Sequence, residues 1–189
     1  MTRLILIRHG QTDWNAEGRW QGQADPPLNQ HGREQAQRVA QELASQKLTV
    51  LYSSDLNRAL ETARIIGTEL GLEVIPDVRL REIRLGLWQG MLSTDIQSQY
   101  PEEFREWYVS PPAVRPPGGE DLTTLAKRVL EVTNEIIRRH PSQVVGIIAH
   151  EFPIAVVRCR ATGIGLERIR EMIPSTGTWE QIVCDGELK

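Results

Sequence analysis

The chain is poor in cysteine: Cys159 and Cys184 are the only two among its 189 residues. They are too few for a disulfide framework and too far apart for a metal-ligand spacing. We read them as free thiols, packed as small apolar groups in a reducing cytoplasm. Histidine is also scarce. His9, His31, His140 and His150 are the four present, and no pair has the one-face spacing of a helical metal site. No metal and no cofactor is expected. No apolar stretch approaches the length that crosses a bilayer, and Met1 leads straight into a strand pattern without a signal-peptide signature. Charge of one sign is missing too: 22 basic against 25 acidic residues leave a net charge of -3. That balance speaks against a nucleic-acid or membrane surface. Phosphate chemistry would therefore need a local cluster of positive charge. Repeats, low-complexity tracts and linkers are absent.

What remains is an ordinary globular composition, 40% hydrophobic and 25% charged, of a size for one domain over residues 1–189. Leu4-Ile5-Leu6-Ile7, within 3–8, and Val144–Ala149 are continuous apolar runs, the pattern of strands buried on both faces. Shorter strands fit 49–53 and Val74-Ile75, the latter stopped by Pro76. One or two more close the chain near 169–173 and 178–184. Helical stripes alternate with these strands. One helix starts at the N-cap residue Asn29 and buries Ala36, Val39, Ala40 and Leu43. A second starts after Ser54, another capping residue, buries Leu56, Ala59, Leu60, Ala63 and Ile66, and ends at Gly71. A third runs from Asp121 to His140 on the stripe Leu122, Leu125, Ala126, Val129, Leu130, Thr133, Ile136 and Ile137. A fourth covers 152–162. The alternation predicts a three-layer α/β/α sandwich with a mostly parallel central sheet. Residues 9–29 form a long loop, of a length usually reserved for function. Residues 92–119 carry Pro101, Pro111, Pro112, Pro116 and Pro117 and read as a short-helical excursion with an extended return, a small cap or lid over a substrate.

In such sheets ligands bind beyond the carboxyl ends of the strands. Arg8-His9-Gly10 ends the first strand. Ser53-Ser54 ends the second, one helical turn before Arg58. His150 ends the strand at 144–149. A neutral imidazole nitrogen of His9, its other nitrogen held by a backbone carbonyl of the Gly10 turn, suits covalent attack on phosphorus. Arg8 and Arg58 suit the charge that develops on the phosphoryl oxygens, and a protonated His150 would be a third donor. The start of the helix at 152 would add backbone donors and dipole. Glu82 is the choice for the group that gives a proton to the leaving alkoxide and later takes one from water. Blander readings compete. Arg58 would also fit a surface pair with Asp55 or Glu61, Glu82 a loop pair with Arg81 or Arg84, and His150 a hydrogen-bonded core histidine. The five tryptophans fit packing roles, with Trp20 and Trp107 the exceptions nearest the site.

At these residues the chain resembles the histidine phosphatase superfamily, also called phosphoglycerate mutase-like. Arg8-His9-Gly10-Gln11-Thr12-Asp13-Trp14-Asn15 matches the opening signature, continued by Gln21-Gly22, Pro27-Leu28-Asn29 and Gly32. Ser54–Ala63 matches the second block; Glu82 with Gly86, Trp88 and Gly90 matches the third. Pro117–Asp121 and the strand ending in His150 match the last two. The resemblance implies roles: His9 as phosphorylated nucleophile, Arg8, Arg58 and His150 as phosphate pocket, Glu82 as proton donor and acceptor, and Asn15, Gln21 and Gly22 as contacts to phosphate or substrate. It implies no metal, and it suggests a homodimer. The position after the second histidine is usually glycine in the family; here it is Glu151, which either points away or selects a substrate with a cationic or hydroxyl-bearing part. The reading is a cytoplasmic phosphomonoesterase acting on a small molecule through a phosphohistidine. A phosphomutase is the alternative, disfavoured because the 92–119 segment holds only Arg105 and Arg115 as basic residues. A catalytically idle phospholigand-binding protein is a third reading, against which the complete residue set stands.

Overall fold

The computed structural model describes residues 1–188. Its strands are β1 (Thr2–Arg8), β2 (Val50–Ser53), β3 (Val74–Pro76), β4 (Val144–Ala149) and β5 (Trp179–Cys184). Its α-helices are α1 (Asp13–Glu17), α2 (Gln30–Leu43), α3 (Asn57–Leu70), α4 (Ser93–Gln99), α5 (Pro101–Val109), α6 (Leu122–Arg139) and α7 (Glu151–Thr162). The five strands lie in the order β3-β2-β4-β1-β5. The first four are parallel, and β5 runs antiparallel along β1.

The alternation of side chains along each strand divides the core in two. Leu4, Leu6, Val145 and Ile147 pack with α6 and α7, whereas Ile5, Ile7, Val144 and Ile148 pack with α2 and α3. Helices thus cover both faces, which is why β1 and β4 are apolar at every second-face position as well. Each fully buried side chain of this kind contributes about 1.5–3 kcal/mol. The interleaving also fixes the strand register. Arg8 lies beside Ala149, and Ser53 beside Ile148. The residues just beyond, His9, Ser54 and His150, therefore leave the sheet side by side. His9 N–H donates to the Ala149 carbonyl at 3.1 Å and Ser54 N–H to the Ile148 carbonyl at 2.9 Å.

One close approach seats the loop after β1. A Cβ on Gly10 would run into the Gly32 carbonyl, and one on Gly32 into the Gln11 carbonyl. Only glycine lets the first turn of α2 press so near the strand end.

Four local expectations change. The 9–29 segment holds α1, capped by Thr12 with Asn15 closing a reciprocal capping box. Five residues are too short to show a helical period. Residues 166–172 form a 3-10 helix rather than a strand; Ile169 of this segment is buried in the apolar cluster that also holds α6 and α7, so it packs on the helices instead of adding to the sheet. The second helix begins at Asn57, with Leu56 rather than Ser54 as its capping position. Leu60 and Leu130 are only half-buried, and Val132 takes the core place expected of Leu130.

Residues 92–119 form α4, α5 and a 3-10 turn at Pro111–Ala113. Ile96, Trp107 and Val114 of this segment are buried in the same apolar cluster as α6 and α7. Trp107 meets Trp88 edge-on at 5.8 Å and Phe152 at 5.5 Å, while Trp20 lies 6.1 Å from it. One aromatic cluster therefore ties this segment, the 9–29 segment and the start of α7 together.

Candidate active site

His9 is 2% exposed. Its Nδ1 is 2.7 Å from the Gly10 carbonyl, as expected for the nitrogen that holds the ring. Its Nε2 is 3.3 Å from Arg58 Nε. A guanidinium can only donate, so that contact requires a lone pair on Nε2 and puts the proton on Nδ1. Burial, then the charges of Arg58 and Arg8, hold the imidazole well below its usual 6.5, with the Gly10 carbonyl acting the other way. The ring is a neutral base with the lone pair of Nε2 fixed in place.

Arg58, at the second position of α3, is 1% exposed. It is paired with neither Asp55 nor Glu61: Asp55 takes a bidentate bond from Arg81 at 2.7 and 2.6 Å, and Glu61 pairs with Arg33. Nη1 and Nη2 of Arg58 instead donate to the carbonyls of Ala24 and Gly22, each at 2.7 Å. Burial lowers its pKa to about 10, so it stays charged at neutral pH. Arg8 donates through Nη1 to the Pro174 carbonyl at 2.5 Å and through Nη2 to Glu151 Oε2 at 2.7 Å. Its Nε is buried with no hydrogen-bond partner among the described residues.

His150 is fully buried, its ring 5.1 Å from that of His9. Ser54 explains its state. Leu56 N–H donates to Ser54 Oγ at 3.3 Å, and that hydroxyl lies 2.7 Å from His150 Nε2. Nε2 is the one acceptor the Ser54 hydroxyl proton has among the described residues, so the proton goes there and the ring proton sits on Nδ1, a buried donor without a partner among them. Burial, then the charge of Arg58, keep the ring well below 6.5. His150 thus offers a donor while neutral, where the sequence suggested a cation. Ser54 acts as orienter of His150 rather than as a helix cap, which explains why the capping expectation failed.

Glu82 is 7% exposed and pairs with neither Arg81 nor Arg84. Its Oε1 accepts from Ile83 N–H at 2.8 Å and Phe152 N–H at 3.3 Å. Burial, then the Glu151 charge, raise its pKa to about 7, against the pull of the Ile83 N–H and of Arg58 and Arg8. The start of α7 was expected to donate to a phosphate. Its Phe152 N–H serves Glu82 and Pro153 has no N–H to give, which leaves the Glu151 N–H as the first-turn donor open to that role.

A cavity of about 310 Å³ brings these groups together; Arg8, His9, Arg58, Glu82 and Glu151 line it, and so do Trp20 and Trp107. Asn15, Gln21 and Gly22 line it as well. Thr12 Oγ1 lies 3.1 Å from Asn15 Oδ1 and 2.9 Å from Gln21 Oε1. This turns both amide oxygens inward on the protein and leaves the two NH2 groups for other acceptors. His150 does not reach the cavity surface. Glu151 points into the site, so the first of its two alternatives falls.

The family model for the histidine phosphatase superfamily (branch 1) matches residues 4–188. The chain belongs to that superfamily. It is 40% identical over 168 residues to phosphoserine phosphatase 1 of Hydrogenobacter thermophilus, covering 89% of this chain and 80% of that protein. It is 35% identical to a probable phosphoglycerate mutase, GpmB, of Serratia proteamaculans, over 87% of this chain and 76% of that one. Among solved structures it is similar to a mycobacterial glucosyl-3-phosphoglycerate phosphatase in complex with VO3. The TM-score is 0.87 at 32% identity, over 95% of this chain and 90% of that chain.

Two residues of this histidine phosphatase escaped the sequence reading. Arg128 of α6 donates to the carbonyls of Arg79, Arg81 and Glu82 at 2.8, 2.6 and 2.9 Å. It also pairs with Glu120 at 2.5 Å, and Glu120 in turn accepts from Arg84 N–H at 3.0 Å. This pair clamps the backbone that carries Glu82. The signal available was one of several charged residues on an amphipathic helix, eight positions after a carboxylate, which is indistinguishable in sequence from a surface pair.

Proposed function

We propose that the protein is a phosphomonoesterase that hydrolyses small-molecule phosphate esters through a phosphohistidine on His9. The observation that carries this is the fixed lone pair on His9 Nε2, with Arg58 Nε 3.3 Å away and a carboxyl near neutrality in the same cavity.

In the first half-reaction His9 Nε2 attacks phosphorus. The P–N bond forms as the P–O ester bond breaks, and Glu82 in its acid form gives its proton to the leaving alkoxide. The positive charge on the ring is held by the Nδ1–H bond to the Gly10 carbonyl. In the second, Glu82 takes a proton from water as its oxygen attacks phosphorus, the P–N bond breaks, and the pair returns to Nε2. Inorganic phosphate leaves. Arg58, and Arg8 through its free Nε, supply donors for the phosphoryl oxygens; a buried donor without a protein partner is what such a ligand satisfies. His150, which does not line the cavity, backs His9 with its ring 5.1 Å away. Asn15, Gln21 and Gly22 contact phosphate or substrate. No step requires a metal. Residues 92–119 act as a small cap on a single domain, since Trp107 and Tyr108 of this segment line the cavity. The free, buried thiols Cys159 and Cys184 fit a cytoplasmic location.

A phosphomutase is the second reading, favoured by the mutase-named relative. It would need the phosphoenzyme to meet a second hydroxyl before water. The test is release of inorganic phosphate from an aryl phosphate by wild type and His9→Ala. Loss of release in the variant supports the reading, and equal rates would refute it.

A further inference from the structure

Beyond the groups used above, the cavity carries one cation and one carboxylate whose donors and acceptors are not consumed. Arg170 comes from the 3-10 helix Leu166–Met172 and lines the cavity together with Tyr108. Its guanidinium carbon lies 3.8 Å from the centre of the Tyr108 ring. Neighbouring arginines are paired, Arg168 with Glu171 and Arg158 with Glu180. Arg170 has no hydrogen bond or ion pair among the described residues. Stacking uses the face of the guanidinium and leaves its in-plane N–H groups free, and that fork matches a carboxylate. Trp107 closes the apolar side of the same space. It lines the same cavity, and its buried indole N–H has no acceptor among the described residues.

Glu151 supplies the opposite charge. Only its Oε2 is engaged, by Arg8 Nη2 at 2.7 Å, and its side chain is 33% exposed. A carboxylate accepts at both oxygens, so Oε1 remains for a cation. Because Arg8 belongs to the phosphoryl pocket, that cation would sit close to the phosphoester itself. A sugar phosphate would offer Arg170 and Glu151 only neutral hydroxyls, weaker partners than opposite charges, and a bisphosphate would set an anion against Glu151. A phosphoester bearing an ammonium and a carboxylate matches both.

Resting on the phosphatase reading, we infer that the substrate is a small phosphorylated amino acid whose carboxylate is read by Arg170 and whose ammonium is read by Glu151. The test measures kcat/KM for O-phosphoserine, for O-phosphoethanolamine, which lacks the carboxylate, and for 3-phosphoglycerate, in which a hydroxyl replaces the ammonium. Wild type, Arg170→Met and Glu151→Gln are compared as ratios between substrates, so any loss common to all three cancels. Wild type is expected to prefer O-phosphoserine over each of the other two by about tenfold or more. Arg170→Met removes the preference over O-phosphoethanolamine, and Glu151→Gln removes the preference over 3-phosphoglycerate. Equal wild-type rates on the three compounds, or variants that leave either ratio unchanged, would overturn the inference while leaving the phosphatase reading intact. Absence of hydrolysis of these compounds and of an aryl phosphate alike would instead bring down the phosphatase reading, and the inference with it.

Discussion

Arg58 Nε faces His9 Nε2 at 3.3 Å while the other two nitrogens of the same guanidinium are tied to the carbonyls of Ala24 and Gly22. One side chain thus fixes the tautomer of the nucleophile and organises the loop that lines the cavity. Arg58→Lys keeps a charge but loses the planar fork. We expect kcat to fall by about 10²-fold or more, the scale of removing a preorganised donor to developing charge. Steady-state kinetics on an aryl phosphate measures it. A loss below about threefold would contradict the assigned role.

Glu82 sets the pH behaviour. Its folded-state pKa of about 7 stands above the unfolded 4.5. The folded state therefore binds more protons between those values, and its stability falls as pH rises through that window. By linkage the effect is about 3 kcal/mol. His9 and His150 act in the other sense. Both are held well below 6.5 when folded, so the unfolded state takes up their protons first, and the stability they contribute is lost as pH falls below 6.5. Between pH 4.5 and 6.5 the two histidines outweigh the single carboxyl, so Glu82→Gln, which removes the opposing proton, should steepen the loss of stability towards acid. Denaturant unfolding at a series of pH values reads this. The acid form of Glu82 also serves the first half-reaction, so kcat/KM should decline as pH rises through 7, and a decline unchanged in Glu82→Gln would sink the assignment.

Glu151 couples to both halves of the site. It holds Arg8 Nη2, and its charge is the second-largest cause of the raised Glu82 pKa. Glu151→Gln should move the descending limb of the pH profile to lower pH and tighten product inhibition by inorganic phosphate, because like charge near the anion is removed. An inhibition constant that stays the same or rises would contradict this.

Arg128 positions Glu82 through three carbonyls without lining the cavity. Arg128→Met strands the buried Glu120 carboxylate, and we expect a destabilisation of about 3–5 kcal/mol. The double variant Arg128→Met with Glu120→Gln should recover much of that stability but not kcat, since the carbonyl clamp stays missing. Recovery of both together would reduce the pair to a structural ion pair.

Much of this was legible in the chain. The runs Leu4–Ile7 and Val144–Ala149 are apolar because helices cover both faces, and that pattern alone placed His9 and His150 at strand ends. Their adjacency was not legible, because it depends on β4 lying between β2 and β1, a matter of long-range pairing. The start of α3 was misread for a related reason: Ser54 resembles a cap locally, but its hydroxyl answers to His150, 96 positions away. Glu82 was chosen for its place after the third strand, which composition alone does not single out, and the family resemblance points to the same residue. What makes it an acid near neutrality is burial beside Glu151, a property of packing that no neighbouring residue in the sequence announces. The 3-10 helix at 166–172, and with it Arg170, was hidden because a short apolar-polar run reads as a strand until its packing against the helices is known.

Everything in the proposed chemistry passes through a phosphorylated His9. Rapid acid-free quenching of the enzyme during turnover of a ³²P-labelled ester, followed by peptide mapping, tests it most directly. The account predicts an acid-labile label on the peptide containing His9, absent from His9→Ala and longer-lived in Glu82→Gln. A label on another residue, or product formation with no labelled protein at any time, would contradict it.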